Sequence, residues 1–332
     1  MNKPRRLFPL ISIAFIIILA IFMTRFTKAY EVNIVAMDTV MSIKAYGPSA
    51  EKGIDAAVDK INSIDKSMSV TNPDSAVSLI NASNGTVADL SGHEDVVSLI
   101  SKSVDISRLT GGSFDITIYP IVKAWGFTAD DFTVPEDENI KNLLKLVDYE
   151  GIMTDGSEVR LRPGQMIDLG AIAKGYAADQ AAIELRKQGI RNAIINLGGN
   201  VLTMGKNPET GVWKVGIKNP VNDGSIVGTI EVSDKAVVTS GNSERYFEKE
   251  GVRYWHIIDP KTGYPADAGL ASLTIISDSA TYADAMSTAG FVMGLAELNK
   301  LYEEVKNFEY IAIDTEGNVI TSPGAPKLTP VK

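Results

Sequence analysis

Two hydrophobic periods follow one another irregularly along this chain, and their order restricts the fold more than any single motif does. Val32, Ile34 and Ala36, then Val40, Ser42 and Lys44, alternate as a strand pair around Met37-Asp38-Thr39. Ile54, Ala57, Val58, Ile61, Ile64 and Met68 recur at helical spacing across 51–68. The turn Thr71-Asn72-Pro73-Asp74-Ser75 caps a short helix carrying Val77, Leu79 and Ile80, and an amphipathic helix over 92–110 stops at Gly111-Gly112. The acidic, proline-bearing segment 128–138 reads as a surface insertion. A short strand at 165–169 comes next, then a helix over 170–188 with Ala173, Tyr176, Ala177 and Ala181 in register. A buried strand at 193–197 ends at Gly198-Gly199-Asn200. Strands at 213–217, 225–232, 236–239 and 273–276, a helix over 281–294 and a last strand at 310–314 complete the pattern. Helices and strands mix without strict alternation, so the class is α+β rather than a doubly wound sheet.

At 332 residues the chain buries a sizeable core, as one large domain or as two lobes around a cleft. Its net charge of −9 argues against a nucleic-acid partner, whose phosphates it would repel. It has no cysteine, which excludes disulfides, thiolate metal sites, thiol nucleophiles and a lipidated cysteine anchor. Asn2-Lys3-Pro4-Arg5-Arg6 sets positive charge before an apolar run from Leu7 to Met23. Such a run of roughly 17 residues is short for a membrane-spanning helix and long for a signal-peptide core. Thr27-Lys28-Ala29 also suits small-x-small cleavage, so 1–29 is expected to be a single-pass membrane anchor or a cleaved signal segment. The basic flank stays in the cytoplasm, which puts everything after Tyr30 on the extracytoplasmic side of the cell membrane. One domain over 30–322 and an irregular tail over 323–332 follow.

Chemistry-bearing residues gather in three places. His256, one of two histidines, precedes the sharp turn from Asp259 to Pro265, and its neighbours Tyr254, Ile257 and Ile258 suit a buried strand with a structural histidine equally well. Asp284 and Thr288, four residues apart, would share one helix face as a carboxylate and a hydroxyl. Magnesium needs few protein oxygens when water and substrate phosphates complete its shell, while a solvated helix face explains the pair as readily. Asp168-Leu169-Gly170-Ala171-Ile172-Ala173-Lys174-Gly175-Tyr176 spans a strand-to-helix junction. Exposed amides and Lys174 there favour phosphate oxygens, and a structural turn with a solvated lysine reads the same way. No Walker loop, dinucleotide fingerprint, zinc spacing or Ser-His-Asp order is present. Spacing alone supports an extracytoplasmic domain with a phosphate-and-magnesium site.

Five blocks taken in order resemble those of the ApbE family, the FAD:protein FMN transferases. They are Met37-Asp38-Thr39; Ser113-Phe114-Asp115-Ile116-Thr117 through Trp125-Gly126-Phe127; Asp168 to Tyr176; Thr239-Ser240-Gly241; and His256 to Pro265 with Ala283 to Thr288. The resemblance covers Ala36 to Gly294. It implies a two-lobed α+β domain related to the tunnelling fold, with FAD in a cleft. It also implies magnesium-dependent transfer of FMN from FAD to a threonine or serine hydroxyl, with AMP leaving. The acceptors implied are extracytoplasmic flavoprotein subunits of membrane electron-transfer complexes. By position, the Ala171 carbonyl, Asp284, Ser287 and Thr288 would hold the metal. Met37, Ser113, Phe114, Asp115, Asp168, Lys174 and Ile258 would contact FAD, and His256 would be the general base. Two positions depart from the family's pattern. Thr71 stands at an FAD-contact position where many members carry tyrosine, and Asn242-Ser243 replaces the usual Asp-Tyr after Gly241.

Two other readings remain open at this level. One is an FAD pyrophosphatase that releases FMN and AMP without an acceptor. The other is a non-catalytic, membrane-tethered FAD-binding protein, for which a base and a metal together would be superfluous.

Overall fold

The computed structural model describes residues 28–221 and 225–331. The membrane or signal segment expected over 1–29 lies outside the described residues except for Lys28 and Ala29, and Ala29 already opens the first strand. Among the described residues no helix is long and apolar enough to cross a membrane.

In chain order, β1 (Ala29–Ala36) and β2 (Thr39–Tyr46) form the expected hairpin. α1 (Ala50–Met68), α2 (Ala76–Ala82), β3 (Val87–Asp89) and α3 (Glu94–Leu109) follow. Then come α4 (Tyr119–Ala124), α5 (Asp137–Leu144), β4 (Met153–Asp155), β5 (Glu158–Arg160) and α6 (Ala173–Lys187). Next are β6 (Asn192–Leu197), β7 (Asn200–Met204), β8 (Trp213–Lys218), β9 (Ile226–Val232) and β10 (Ala236–Gly241). A ribbon of β11 (Tyr246–Lys249) and β12 (Val252–Trp255) leads to β13 (Leu270–Ser277), α7 (Ala280–Val305), β14 (Glu309–Asp314) and β15 (Val319–Thr321).

One antiparallel sheet of eight strands, ordered β1-β2-β6-β7-β10-β13-β14-β15, is the centre of the molecule. Its period of two sorts side chains between two layers. Ile43, Ile195, Leu202, Val238, Ile275 and Ala312 join the core on one side, where α1, α6 and α7 pack. Ile194, Val201, Val237, Ile276 and Ile311 face the other, covered by Trp213, Val215, Ile217 and Ile230 of the β8-β9 hairpin. Each such side chain contributes about 1.5–3 kcal/mol when fully buried. The α+β expectation therefore holds, with the sheet antiparallel throughout.

Three local expectations need correction. Residues 165–169 form no strand. Asn81 takes the ladder's place, donating to the Ile167 carbonyl (2.9 Å) and accepting from its amide (2.7 Å). The helix expected from 170 starts at Ala173, after a turn in which the Leu169 carbonyl accepts the amides of Ile172 and Ala173. Gly198-Gly199 is not a strand exit but a hairpin turn into β7, with φ of 65° and 101° that only glycine adopts freely. The helix expected over 281–294 does end there: Gly294 is non-helical (φ 75°, ψ 171°), a Cβ on it would lie 3.0 Å from the Ala268 carbonyl oxygen, and a second helical stretch of α7 continues to Val305. The tail is also anchored in part: Thr229 and Thr329 exchange backbone hydrogen bonds of 2.8 Å, and Leu328 packs on the β8-β9 layer.

Candidate active site

Two helices bring the metal-directed residues together. Asp179 of α6 caps the start of α7, accepting from the amides of Ala280 and Thr281 (2.9 Å each) and from the hydroxyls of Ser279 (2.8 Å) and Thr281 (2.7 Å). One turn into α7, Asp284 returns the contact, its Oδ2 accepting the Gly175 amide at 2.8 Å. The helices approach so closely there that a Cβ on Gly175 would sit 2.1 Å from the Ala280 carbonyl oxygen. Because the Gly175 amide is turned to Asp284, it does not serve the Ala171 carbonyl one turn before it, and that oxygen stays available.

Hydroxyls extend the corner from the sheet. Ser240, at the end of β10, shares a hydrogen bond with Ser287 (2.8 Å) and lies 3.4 Å from the Thr288 hydroxyl. Ser287 is fully buried and also donates to the Asp284 carbonyl at 2.9 Å, so it props the corner more than it faces outward. Thr288 is half-buried. Asp284, Thr288 and the Ala171 carbonyl form a set of hard oxygens with one carboxylate. Among the described residues no three His, Cys, Asp or Glu cluster as a metal site. This sparse oxygen set fits magnesium, which keeps water and takes substrate oxygens, and would not fit a thiolate- or imidazole-seeking ion.

His256 lies near enough to Lys174 to feel its charge. The chain here is not the buried strand that Tyr254, Ile257 and Ile258 suggested: β12 is largely exposed and ends at Trp255. The expected turn does the holding. Asp259 N–H donates to Tyr264 O (2.8 Å), Gly263 N–H to Asp259 O (2.8 Å), and Ala266 N–H to Ile257 O (2.9 Å). Trp125 locks the turn from outside through its Nε1 donation to Gly263 O at 2.9 Å. Arg245 O accepts both the His256 amide (3.0 Å) and Nδ1 (3.1 Å). A carbonyl can only accept, so Nδ1 carries the proton and Nε2 presents a free lone pair. Burial, then the charges of Lys174 and Arg245, bring the imidazole down to about 4, so it is neutral at working pH.

Asp168 belongs to the same group. Its amide donates to Ile116 O (2.9 Å), its Oδ1 accepts the Gly170 amide (2.8 Å), and burial holds its carboxyl above the usual range against the pull of Lys174 and Arg245. Met37 stands at φ 48°, a left-handed conformation costly for its side chain and frequent at functional sites. Its turn touches the β6-β7 turn, since a Cβ on Gly198 would lie 2.6 Å from Thr39.

The other expected FAD contacts divide. Phe114 is in the main core and Ile258 in the aromatic cluster with Trp125 and Phe127, so both offer a ligand only backbone. Ser113 is buried. Asp115 is engaged internally, accepting from Thr117 N–H (2.8 Å), Thr117 Oγ1 (2.6 Å) and Tyr149 N–H (3.0 Å). Thr71 is exposed, and its hydroxyl meets Ser69 Oγ at 2.9 Å.

Three residues of the cleft escaped the sequence reading. Arg245 holds His256 and pairs with Asp130 at 2.6 Å, which gives part of the 128–138 insertion a place beside the site. The Glu244 carboxyl is crowded by protein and sits above its ordinary range, first through that desolvation; Lys174 and Lys218 oppose the shift and Asp284 adds to it. Lys218 reaches within 4.0 Å of where a Gly199 Cβ would stand. The available signal was the charged pair Glu244-Arg245 closing the loop after Gly241, which is unusual ahead of so short a strand.

The fold and site thus define an α+β protein with a hard-oxygen corner, and a neutral histidine that feels the charge of Lys174. The pattern of the ApbE family matches residues 37–312. The FAD:protein FMN transferase of Klebsiella pneumoniae (strain 342) is 31% identical over 310 residues, spanning 92% of this chain and 95% of its own. That of Treponema pallidum (strain Nichols) is 30% identical over 318 residues, spanning 90% and 88%. The crystal structure of the ApbE protein of Thermotoga maritima superposes with a TM-score of 0.84 at 34% identity, covering 89% of this chain and 97% of that one. Apo flavinyl transferase ApbE of Pseudomonas stutzeri gives 0.80 at 26% identity, covering 89% and 95%. The chain belongs to the ApbE family.

Proposed function

We propose that this protein is an FAD:protein FMN transferase. It moves FMN from FAD to a threonine or serine hydroxyl of an extracytoplasmic flavoprotein subunit, with magnesium, and releases AMP. The observation that carries the reading is the open Nε2 of His256, held in one tautomer by Arg245 O and near enough to Lys174 to feel its charge, in a chain whose Asp284 and Thr288 meet at one corner. The acceptor hydroxyl oxygen bonds to the FMN phosphorus, the bond from that phosphorus to the AMP oxygen breaks, and the hydroxyl proton passes to Nε2. Base assistance of this kind is commonly worth about 10²–10⁴-fold. A base near 4 is weak in the free protein, but the diphosphate of FAD brings negative charge that favours the imidazolium and raises it in the complex. Lys174 supplies a fixed positive charge to the same diphosphate. Magnesium held by Asp284, Thr288 and the Ala171 carbonyl would neutralise charge growing on the departing AMP. The N-terminal basic-apolar segment of the sequence is what supports an acceptor outside the cytoplasm.

The test is incubation with FAD, magnesium and candidate acceptor subunits, followed by intact-mass measurement. The expected result is an acceptor heavier by one FMN, lost with His256→Ala. Undiminished transfer by that variant sinks the base assignment. FMN and AMP accumulating with an unmodified acceptor would replace transfer by hydrolysis.

A further inference from the structure

Asn200 is a buried polar residue that the roles above leave unused. It is only 4% exposed, and its Nδ2 has no hydrogen-bond partner among the described residues. Buried side-chain donors are nearly always paired, so an unpaired one points to a partner that arrives from outside the free protein. Its place in the sheet says where that partner sits. The β7-β10 register pairs Leu202 with Ala236 and Val201 with Val237, so one step further on Asn200 lies beside Val238, two residues from Ser240. Side chains alternate along a strand, and Val201 enters the hairpin-side cluster while Leu202 enters the helix-side core. Asn200 therefore shares the helix side with Ser240, whose hydroxyl contacts Ser287 and Thr288. It also follows directly on the Gly198-Gly199 turn that Lys218 approaches.

We infer that Asn200 is a substrate-binding residue whose Nδ2 donates to an oxygen of the FAD diphosphate. This rests on the flavin-transfer reading above, and it adds a neutral donor to the charges of Lys174 and Lys218. A neutral donor suits this spot: buried between a carboxylate corner and a phosphate, it adds a bond without a further charge to desolvate.

The experiment measures FAD affinity by calorimetry for the wild-type protein and for Asn200→Leu, with ADP as a competitor that carries the diphosphate without the flavin. Asn200→Leu keeps the branched shape at a somewhat larger volume and removes the unpaired donor, so its melting temperature is measured alongside to separate an overpacking cost from the loss of binding. FAD and ADP are both expected to bind about tenfold more weakly, the loss of one hydrogen bond to a charged acceptor. FAD affinity within twofold of wild type overturns the inference, whatever the melting temperature. A loss for FAD with ADP unaffected also overturns it, because the amide then serves the flavin. Should Asn200→Leu fail to fold, Asn200→Asp keeps the shape, replaces the donor by a carboxylate, and must lower both affinities. Wild-type protein that binds no FAD at all would instead remove the proposed function.

Discussion

Gly175 offers the sharpest test of how the site is built. A Cβ there would meet the Ala280 carbonyl oxygen at 2.1 Å and Asp284 Cβ at 2.7 Å, so Gly175→Ala must drive α6 and α7 apart. The first distance is roughly 1 Å or more short of an acceptable contact. The movement breaks the 2.8 Å bond from the Gly175 amide to Asp284, which leaves a buried carboxylate short of a donor. Overpacking costs about 1–3 kcal/mol and the lost bond to a charged group about 1.5–3, against about 1 regained from alanine's helix propensity. A net loss of about 2–4 kcal/mol is expected in urea unfolding followed by circular dichroism. If Asp284 holds the metal as proposed, displacing its carboxylate by about 1 Å is also expected to cost about a hundredfold in the proposed magnesium-supported AMP release. Wild-type stability together with wild-type magnesium dependence would refute the packing argument and the role given to Asp284.

Further outcomes follow from the same geometry. Free His256 sits near 4 against an ordinary 6.5, so the folded protein binds fewer protons than the unfolded chain between those values. Its contribution to stability is therefore complete above pH 6.5 and lost as pH falls towards 4, by up to about 3 kcal/mol, and His256→Gln should flatten that slope in pH-dependent unfolding. Lys174→Met removes a charge that lowers the imidazole, so the acid limb of kcat/KM should move upward in pH; a limb that stays put or moves down contradicts the placement. Asp179→Ala uncaps α7 and should cost about 1–2 kcal/mol in urea unfolding, with no loss counting against the cap. FAD affinity should fall at least tenfold when EDTA removes magnesium, read by flavin fluorescence, and equal affinity with and without the ion would deny it a place beside the diphosphate.

What could be seen beforehand, and what could not, divides along a physical line. The periods of 51–68 and 193–197 were legible because burial of one face writes itself into every second or fourth residue, and 310–314 because a short apolar run is buried on both faces. The 165–169 segment misled because its apolar residues are also buried, while its backbone is satisfied by the Asn81 side chain 86 residues away along the chain. β11 and β12 were invisible because the ribbon is held by rings stacked on one face, Phe247 on Tyr254 and on Phe132, rather than by alternation. At the site, Asp284, Thr288 and His256 could be named as residues. What joined them could not: the close contact of Gly175, next to Lys174, with Ala280 and Asp284, and the Arg245 carbonyl from a distant part of the chain.

That junction also accounts for how an acidic chain can receive an anionic substrate. Lys174, Lys218 and Arg245 face Asp168, Glu244 and Asp284 within one cleft, three charges against three. Arg245 is further drawn off by Asp130. The protein alone therefore provides no surplus of positive charge for a diphosphate. A divalent ion at the Asp284-Thr288 corner would tip this balance at the moment the substrate arrives with it. On that argument the cleft is built to be nearly neutral when empty and attractive only to a diphosphate accompanied by its metal. The same arrangement keeps His256 unprotonated until the anion is present, so that base strength and substrate binding rise together.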